Sequence, residues 1–313
     1  MKRKVVQHGP SSLIMSLPSK WVKSYNIQKG DELEVIEKGN VLEISTGSVV
    51  KGKSVTIDIS NLNKTSIVIY LQSMYRYGYD EINVRFTNQT ALHHRKEKEI
   101  PVIDILQEVI ALFIGVEIVK QTKDLVQIKQ LSEDSEKDFE MLKRRVIFLT
   151  TEVFQEFDRS IKDDNNQGMM AIANYHRTIV KFINYCMRLL NRGTVRDLSD
   201  SLTLYHLLAV IDRIVDCLRE AARVKVQRKI TFSKGAQTII TQVVGCMYQY
   251  QTFFFKNDLA TVEDLERKRH NLKKAILNHS AKHEEIIALS LFKEVVELLQ
   301  DAVECRLRLK GSV

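Results

Sequence analysis

Two groups of residues in this 313-residue chain have types and spacings that could do chemistry. The first is cationic. Lys2, Arg3, Lys4, Lys20 and Lys23 lie in an opening stretch of thirty residues that holds six Lys/Arg and no Asp or Glu. The next sixteen residues carry Asp31, Glu32, Glu34, Glu37 and Glu43, so the charge of the segment is polarised along the chain. One positive edge of this kind suits phosphates, and a two-fold dimer would bring roughly ten cations onto one surface. Binding through that many phosphate contacts weakens steeply with salt. Arg3, Gln7, His8 and Ser11 could reach base edges, and nothing in the sequence selects among them.

The second group is acidic. Asp212 and Asp216 stand at i and i+4, and Glu294, Glu297, Asp301 and Glu304 follow a single stripe at i, i+3, i+7 and i+10. Like charges at this spacing cost a few tenths of a kcal/mol per pair in an isolated helix, so water, Lys/Arg neighbours or a metal ion should offset them. Carboxylate oxygens suit a hard divalent ion or a carboxylate-bridged iron, manganese or magnesium site. A solvated face bridged to Arg213, Arg219 and Arg306 is the alternative. Glu152 and Glu156 are substitute ligands from an earlier helix. No phosphate-binding glycine loop, nucleophile elbow or H-E-x-x-H occurs, and the chain is not expected to be an enzyme.

The elements that must position these groups change character along the chain. All three prolines (Pro10, Pro18, Pro101) precede residue 102, which marks a passage from mixed α/β structure to nearly pure helix. Residues 1–46 read as short strands and a helix from Ser19 to Tyr25, closing with a hairpin around Lys38-Gly39-Asn40. A module this short buries too little apolar surface to fold comfortably alone. Residues 49–131 read as a small α/β unit. Its parts are a strand at Val55–Ile59, a helix Lys64–Tyr77 stopped by Gly78, a strand Ile82–Phe86, a charged linker Thr87–Lys98, a helix Val102–Phe113 and a closing hairpin Val116–Ile128. Within the linker, His93-His94-Arg95-Lys96 reads as a mobile charged loop. Residues 133–310 carry about six helices, two of them with stripes at the helical period: Leu204, Leu207, Leu208, Ile211, Val215, Leu218 and Ala222, then Leu291, Val295, Leu298, Ala302, Cys305 and Leu309. Asp212–Asp216 and Glu297–Asp301 take equivalent places in the third helix of each trio, which suggests two copies of a three-helix unit. The expected fold class is multi-domain α+β. Four scattered cysteines, no secretory signal pattern and no long apolar run point to a soluble cytoplasmic protein, not embedded in a membrane.

Residues 1–46 resemble the swapped-hairpin DNA-binding domain of the AbrB/MazE/SpoVT family. The resemblance is carried by Arg3-Lys4-Val5, Gly9, Ser16-Leu17-Pro18-Ser19-Lys20-Trp21-Val22, Lys29-Gly30-Asp31 and the Leu33/Val35 strand before Gly39-Asn40. It implies an intertwined β-barrel dimer with Lys2, Arg3, Lys4, Lys20 and Lys23 presented to DNA. The bundle, 133–310, resembles PhoU, the phosphate-uptake regulator built from two three-helix repeats whose E/D-x-x-x-D motifs hold metal ions. Asp212-Arg213-Ile214-Val215-Asp216 and Glu297–Asp301 are similar to that motif. The pairing of head and bundle resembles an archaeal PhoU-related regulator. One departure is plain: Met169–Leu190 has no acid and offers Asn174, His176 and Asn184 instead, while Glu263, Asp264 and Glu266 bunch at one end of Ala260–Leu277.

The resemblance implies a homodimeric DNA-binding regulator of phosphate uptake whose bundle senses a metal, phosphate status, or a transporter or sensor-kinase partner. A signalling adaptor that contacts a phosphate transporter or histidine kinase, its head serving mainly to dimerise, is the alternative.

Overall fold

The structure is a computed structural model that describes residues 2–38, 41–46, 52–193, 198–280 and 283–309. The chain divides into two compact units, Met1–Gly52 and Lys53–Val313. In the first, β1 (Val5–His8) and β2 (Ser12–Met15) form an antiparallel hairpin with Val5 opposite Met15. Gly9 turns the chain at φ 73°, a conformation that costs glycine little. Helix α1 (Ser19–Ser24) starts behind Pro18, whose ring fixes its φ and bars a strand from continuing. Then β3 (Glu34–Lys38) pairs with β4 (Val41–Ser45), Val35 facing Ile44. The two hairpins are separate two-stranded sheets. Among the described residues of one chain no barrel is closed.

The second unit begins with a βαβ element: β5 (Ser54–Asp58), α2 (Lys64–Tyr77) and β6 (Glu81–Arg85), its strands parallel as a helical crossover requires. Asn63 caps α2 by accepting the Ser66 amide at 3.1 Å, and Gly78 ends it at φ 101°. The segment expected to be a charged linker is instead a hairpin, β7 (Thr90–His93) and β8 (Lys98–Pro101), joined by a 3-10 turn at His94–Lys96. Ala91 and His93 alternate inward while their neighbours face out, a strand pattern hidden by the abundance of charge. Helix α3 (Val102–Ile110), β9 (Val116–Gln121) and β10 (Leu125–Gln130) complete a four-stranded sheet in the order β5-β6-β10-β9.

Six helices follow among the described residues: α4 (Glu136–Lys162), α5 (Asn166–Asn191), α6 (Leu198–Gln227), α7 (Lys234–Lys256), α8 (Leu259–Asn278) and α9 (His283–Arg308). All seven residues of the first apolar stripe, Leu204 to Ala222, are buried. Val295, Ala302 and Cys305 of the second are buried, with Leu291, Leu298 and Leu309 partly so. Within each run of three, consecutive helices pack together; across the two runs α4 meets α7, and α6 lies along α9 in the most extensive contact of the bundle. The four cysteines are buried and unpaired.

The sheet is fastened to the bundle by a polar lock. Arg188 of α5, 0% exposed at its side chain, donates to the carbonyls of Tyr75 and Tyr79 and to Asp80 at 3.0 Å. Arg192, one turn on, reaches the Gly78 carbonyl, Asp80 at 2.6 Å and Asp134 at 2.8 Å. No helix among the described residues is long and apolar enough to cross a membrane.

Candidate nucleic-acid head and acidic steps of the bundle

The cationic residues stand on the first half of the head. Lys2, Arg3 and Lys4 lead into β1, and Lys20 and Lys23 project from α1; all five are exposed. None pairs with a carboxylate among the described residues. The acids lie beyond them, with Asp31 held at the Gln28 amide at 2.7 Å and Glu34 within reach of Ser45 across the β3–β4 hairpin. Glu37 and Glu43 have side chains outside the described set.

The apolar side chains of the same unit are just as open. Val5, Val6, Leu13, Ile14 and Met15 of the first hairpin are between 46% and 72% exposed, and Val35, Val41 and Leu42 of the second between 55% and 59%. Among the residues of 1–52 whose side chains are described none is buried. Exposed apolar residues on hairpins with unpaired edges are the features that strand pairing with another chain would cover.

In the bundle the acidic steps are countered by protein cations. Asp212 meets Arg76 of α2 at 2.8 Å, and the same guanidinium donates to Asn184 of α5 at 2.7 Å. Burial pushes the Asp212 carboxyl above its ordinary range, against the pull of Arg76. Asp216 lies 2.8 Å from His176 Nε2 and 2.8 Å from Arg219. Burial alone would raise its carboxyl, but the His176 hydrogen bond and the Arg219 charge outweigh it and hold the group below 3.8. Glu294 pairs with Arg213 at 2.7 Å, tying α9 to α6. Glu297 is gripped by Arg269 at 2.6 Å and by Lys273, which hold its carboxyl down in spite of burial. Asp301 is exposed, without an ion pair among the described residues. Arg306, foreseen as a bridge to the stripe, donates to the Phe254 carbonyl at 2.7 Å.

These residues do not fit a carboxylate metal centre. Among the described residues no three His, Cys, Asp or Glu side chains converge as a metal would need, and the closest acids already have cationic partners. Glu152 faces Arg145 and Glu156 faces Arg159, so the substitute ligands are engaged in the same way. The absence of acids from α5 has a structural counterpart: His176 and Asn184 meet the α6 step and its Arg76 partner as neutral or cationic groups. Arg76, Arg269 and Lys273 were not legible as partners, because each lies on a different element from the acid it holds.

A family model described as antidote-toxin recognition MazE, bacterial antitoxin, matches residues 6–53. Neither a curated protein nor a solved structure matches the chain. The matched stretch covers both hairpins and α1, and it begins just after Arg3 and Lys4. Residues 6–53 are thus similar to MazE, and the structure as a whole is mixed α+β and largely helical.

Proposed function

We propose that the chain is a homodimeric DNA-binding regulator whose head grips the phosphate backbone with Lys2, Arg3, Lys4, Lys20 and Lys23. The carrying observation is that these five exposed cations have no carboxylate partner among the described residues, in and beside the segment matched by the MazE model. Support for the dimer comes from the open hairpins: exchange of strands between two copies would pair their edges, cover Leu13, Ile14 and Val35, and close the barrel that one chain leaves unformed. The bundle is a PhoU-like sensor in phosphate homeostasis on this reading. Its support is the sequence resemblance, together with the matched pairing of α4 with α7 and α6 with α9 that two three-helix repeats would produce. Transporter or sensor-kinase components are its partners on the same reading. On this reading the cation-paired Asp212, Asp216 and Glu297 stand where the metal-binding motif lies in PhoU.

A second reading is favoured by the printed description of the matched family: a head that recognises a protein toxin. The two separate in one experiment. Full-length protein is titrated with duplex DNA across a salt series, beside a variant carrying Arg3→Ala, Lys4→Ala, Lys20→Ala and Lys23→Ala. The affinity should fall with salt with a log–log slope of about 0.9 per phosphate neutralised, and the variant should lose about one unit of slope per contact removed. Binding that ignores both salt and the four substitutions would sink the DNA reading and leave the protein-partner one.

A further inference from the structure

A cavity of about 420 Å³ opens between α5 and α6 under the turn of the β7–β8 hairpin. It lies in the range typical of small-molecule sites. Four guanidinium groups line it from three separate stretches of chain: Arg95 from the turn, Arg177 from α5, and Arg219 and Arg223 from α6. Their counter-charges are incomplete. Arg219 is paired with Asp216, which already shares its carboxylate with His176. Arg223 pairs with Glu220 on its own helix, and Arg177 reaches Glu108 only at 3.8 Å, an acid also claimed by Lys64. Arg95 has no carboxylate partner among the described residues, and it is set against Arg219 and Arg223. Burial first, then the charges of Arg223 and Arg219, lower its pKa and outweigh the opposing pull of Glu220 and Glu108.

Beneath the arginines the cavity wall is apolar. Met169 and Ala222 are buried in its floor, Val226 is half-buried, and Met170 stands at the rim 66% exposed. A ligand that satisfies both halves needs several anionic oxygens at one end and a flat apolar body at the other. Convergent guanidinium groups match a phosphoryl group, which offers more oxygens than the single bidentate face of a carboxylate. Methionine sulfur and arginine planes both pack well on aromatic rings.

The geometry points to a binding site for a nucleoside phosphate, its phosphoryl group held by Arg95, Arg219 and Arg223 and its base laid on Met169, Met170 and Ala222. The site is independent of the DNA-binding reading of the head, which shares none of these residues. Because Arg95 comes from the sheet hairpin and the other contacts from the bundle, the ligand would bridge two elements of one compact unit.

The test is isothermal titration of the full chain with AMP, GMP and UMP, beside adenosine and inorganic phosphate. At least one nucleotide should bind at least tenfold more tightly than either adenosine or phosphate. Arg95→Ala, an exposed change that leaves the core intact, should weaken it at least fivefold, and Arg95→Ala with Arg223→Ala further still. Arg3→Ala with Lys4→Ala should leave it unchanged, which separates this site from electrostatic capture by the head. Equal binding of adenosine, equal binding of phosphate, insensitivity to the Arg95 change, or no binding of any of the three nucleotides would each overturn the assignment.

Discussion

Asp216 is where the acidic steps bear most directly on pH. Its folded carboxyl titrates below its ordinary 3.8, so the stability it contributes is complete above that value and is lost as pH falls through the folded one. Thermal unfolding should therefore show a steeper loss of Tm between about pH 5 and pH 3 in the parent than in Asp216→Asn, which cannot titrate there. The neighbouring acids should divide by their partners. Asp212→Ala strips Arg76 of its carboxylate in a half-buried setting and should cost about 1–3 kcal/mol. Asp301→Ala, at an exposed position without an ion pair among the described residues, should stay within about 0.5 kcal/mol of the parent in denaturant unfolding. A chelator should leave the Tm of the parent where it was; a fall of several degrees would restore the metal to these residues. The spacing of Asp212 and Asp216 was visible in the sequence, and so was the need for something to offset it. Arg219, expected as a bridge, does pair with Asp216, but Arg76 was not visible, since it sits 136 positions from Asp212 and only the docking of α2 on the bundle brings them together.

At the scale of elements, helical periodicity did most of the work. The stripe from Leu204 to Ala222 places α6 with its apolar face on the bundle core. The β7–β8 hairpin escaped because its strands are short and its turn is made of His, Arg and Lys; only the inward alternation of Ala91 and His93 could have announced it. The arginine cavity escaped for the same reason, since the hairpin delivers Arg95. Arg219 and Arg223, like charges at i and i+4 on α6, were the one local signal that something anionic belonged nearby. The lock between sheet and bundle is the element-scale feature most open to test. Arg188→Met keeps the volume but leaves Asp80 with one guanidinium fewer and two carbonyls short of a donor, and it should cost about 3–5 kcal/mol. Gly78→Ala attacks the same lock from the other side. A Cβ there would stand 2.8 Å from Arg192 Cγ on backbone at φ +101°, and the conformational penalty alone is about 1–2 kcal/mol. Both are read from the midpoint of urea unfolding at constant slope.

For the whole molecule the question is what completes the head. The length of 1–46 implied that so short a module lacks a core, and the reason is visible residue by residue: Val5, Val6, Leu13, Val35, Val41 and Leu42 lie exposed on open hairpins. Leu13→Asp, at a side chain 72% exposed in the single chain, should be harmless to a monomer and disruptive to an exchanged dimer. Sedimentation equilibrium at micromolar concentration should show the parent as a dimer and the variant shifted towards the single chain, with DNA binding lost in parallel. A variant that stays dimeric and keeps its DNA affinity would move the dimer contact to the body of the protein.

The open hairpins of that head have a consequence for dosage. If only paired copies possess a formed grip, then at low abundance the population able to occupy an operator grows with the square of the amount of chain present. Halving synthesis would cut occupancy to about a quarter, by mass action alone and without any small-molecule signal.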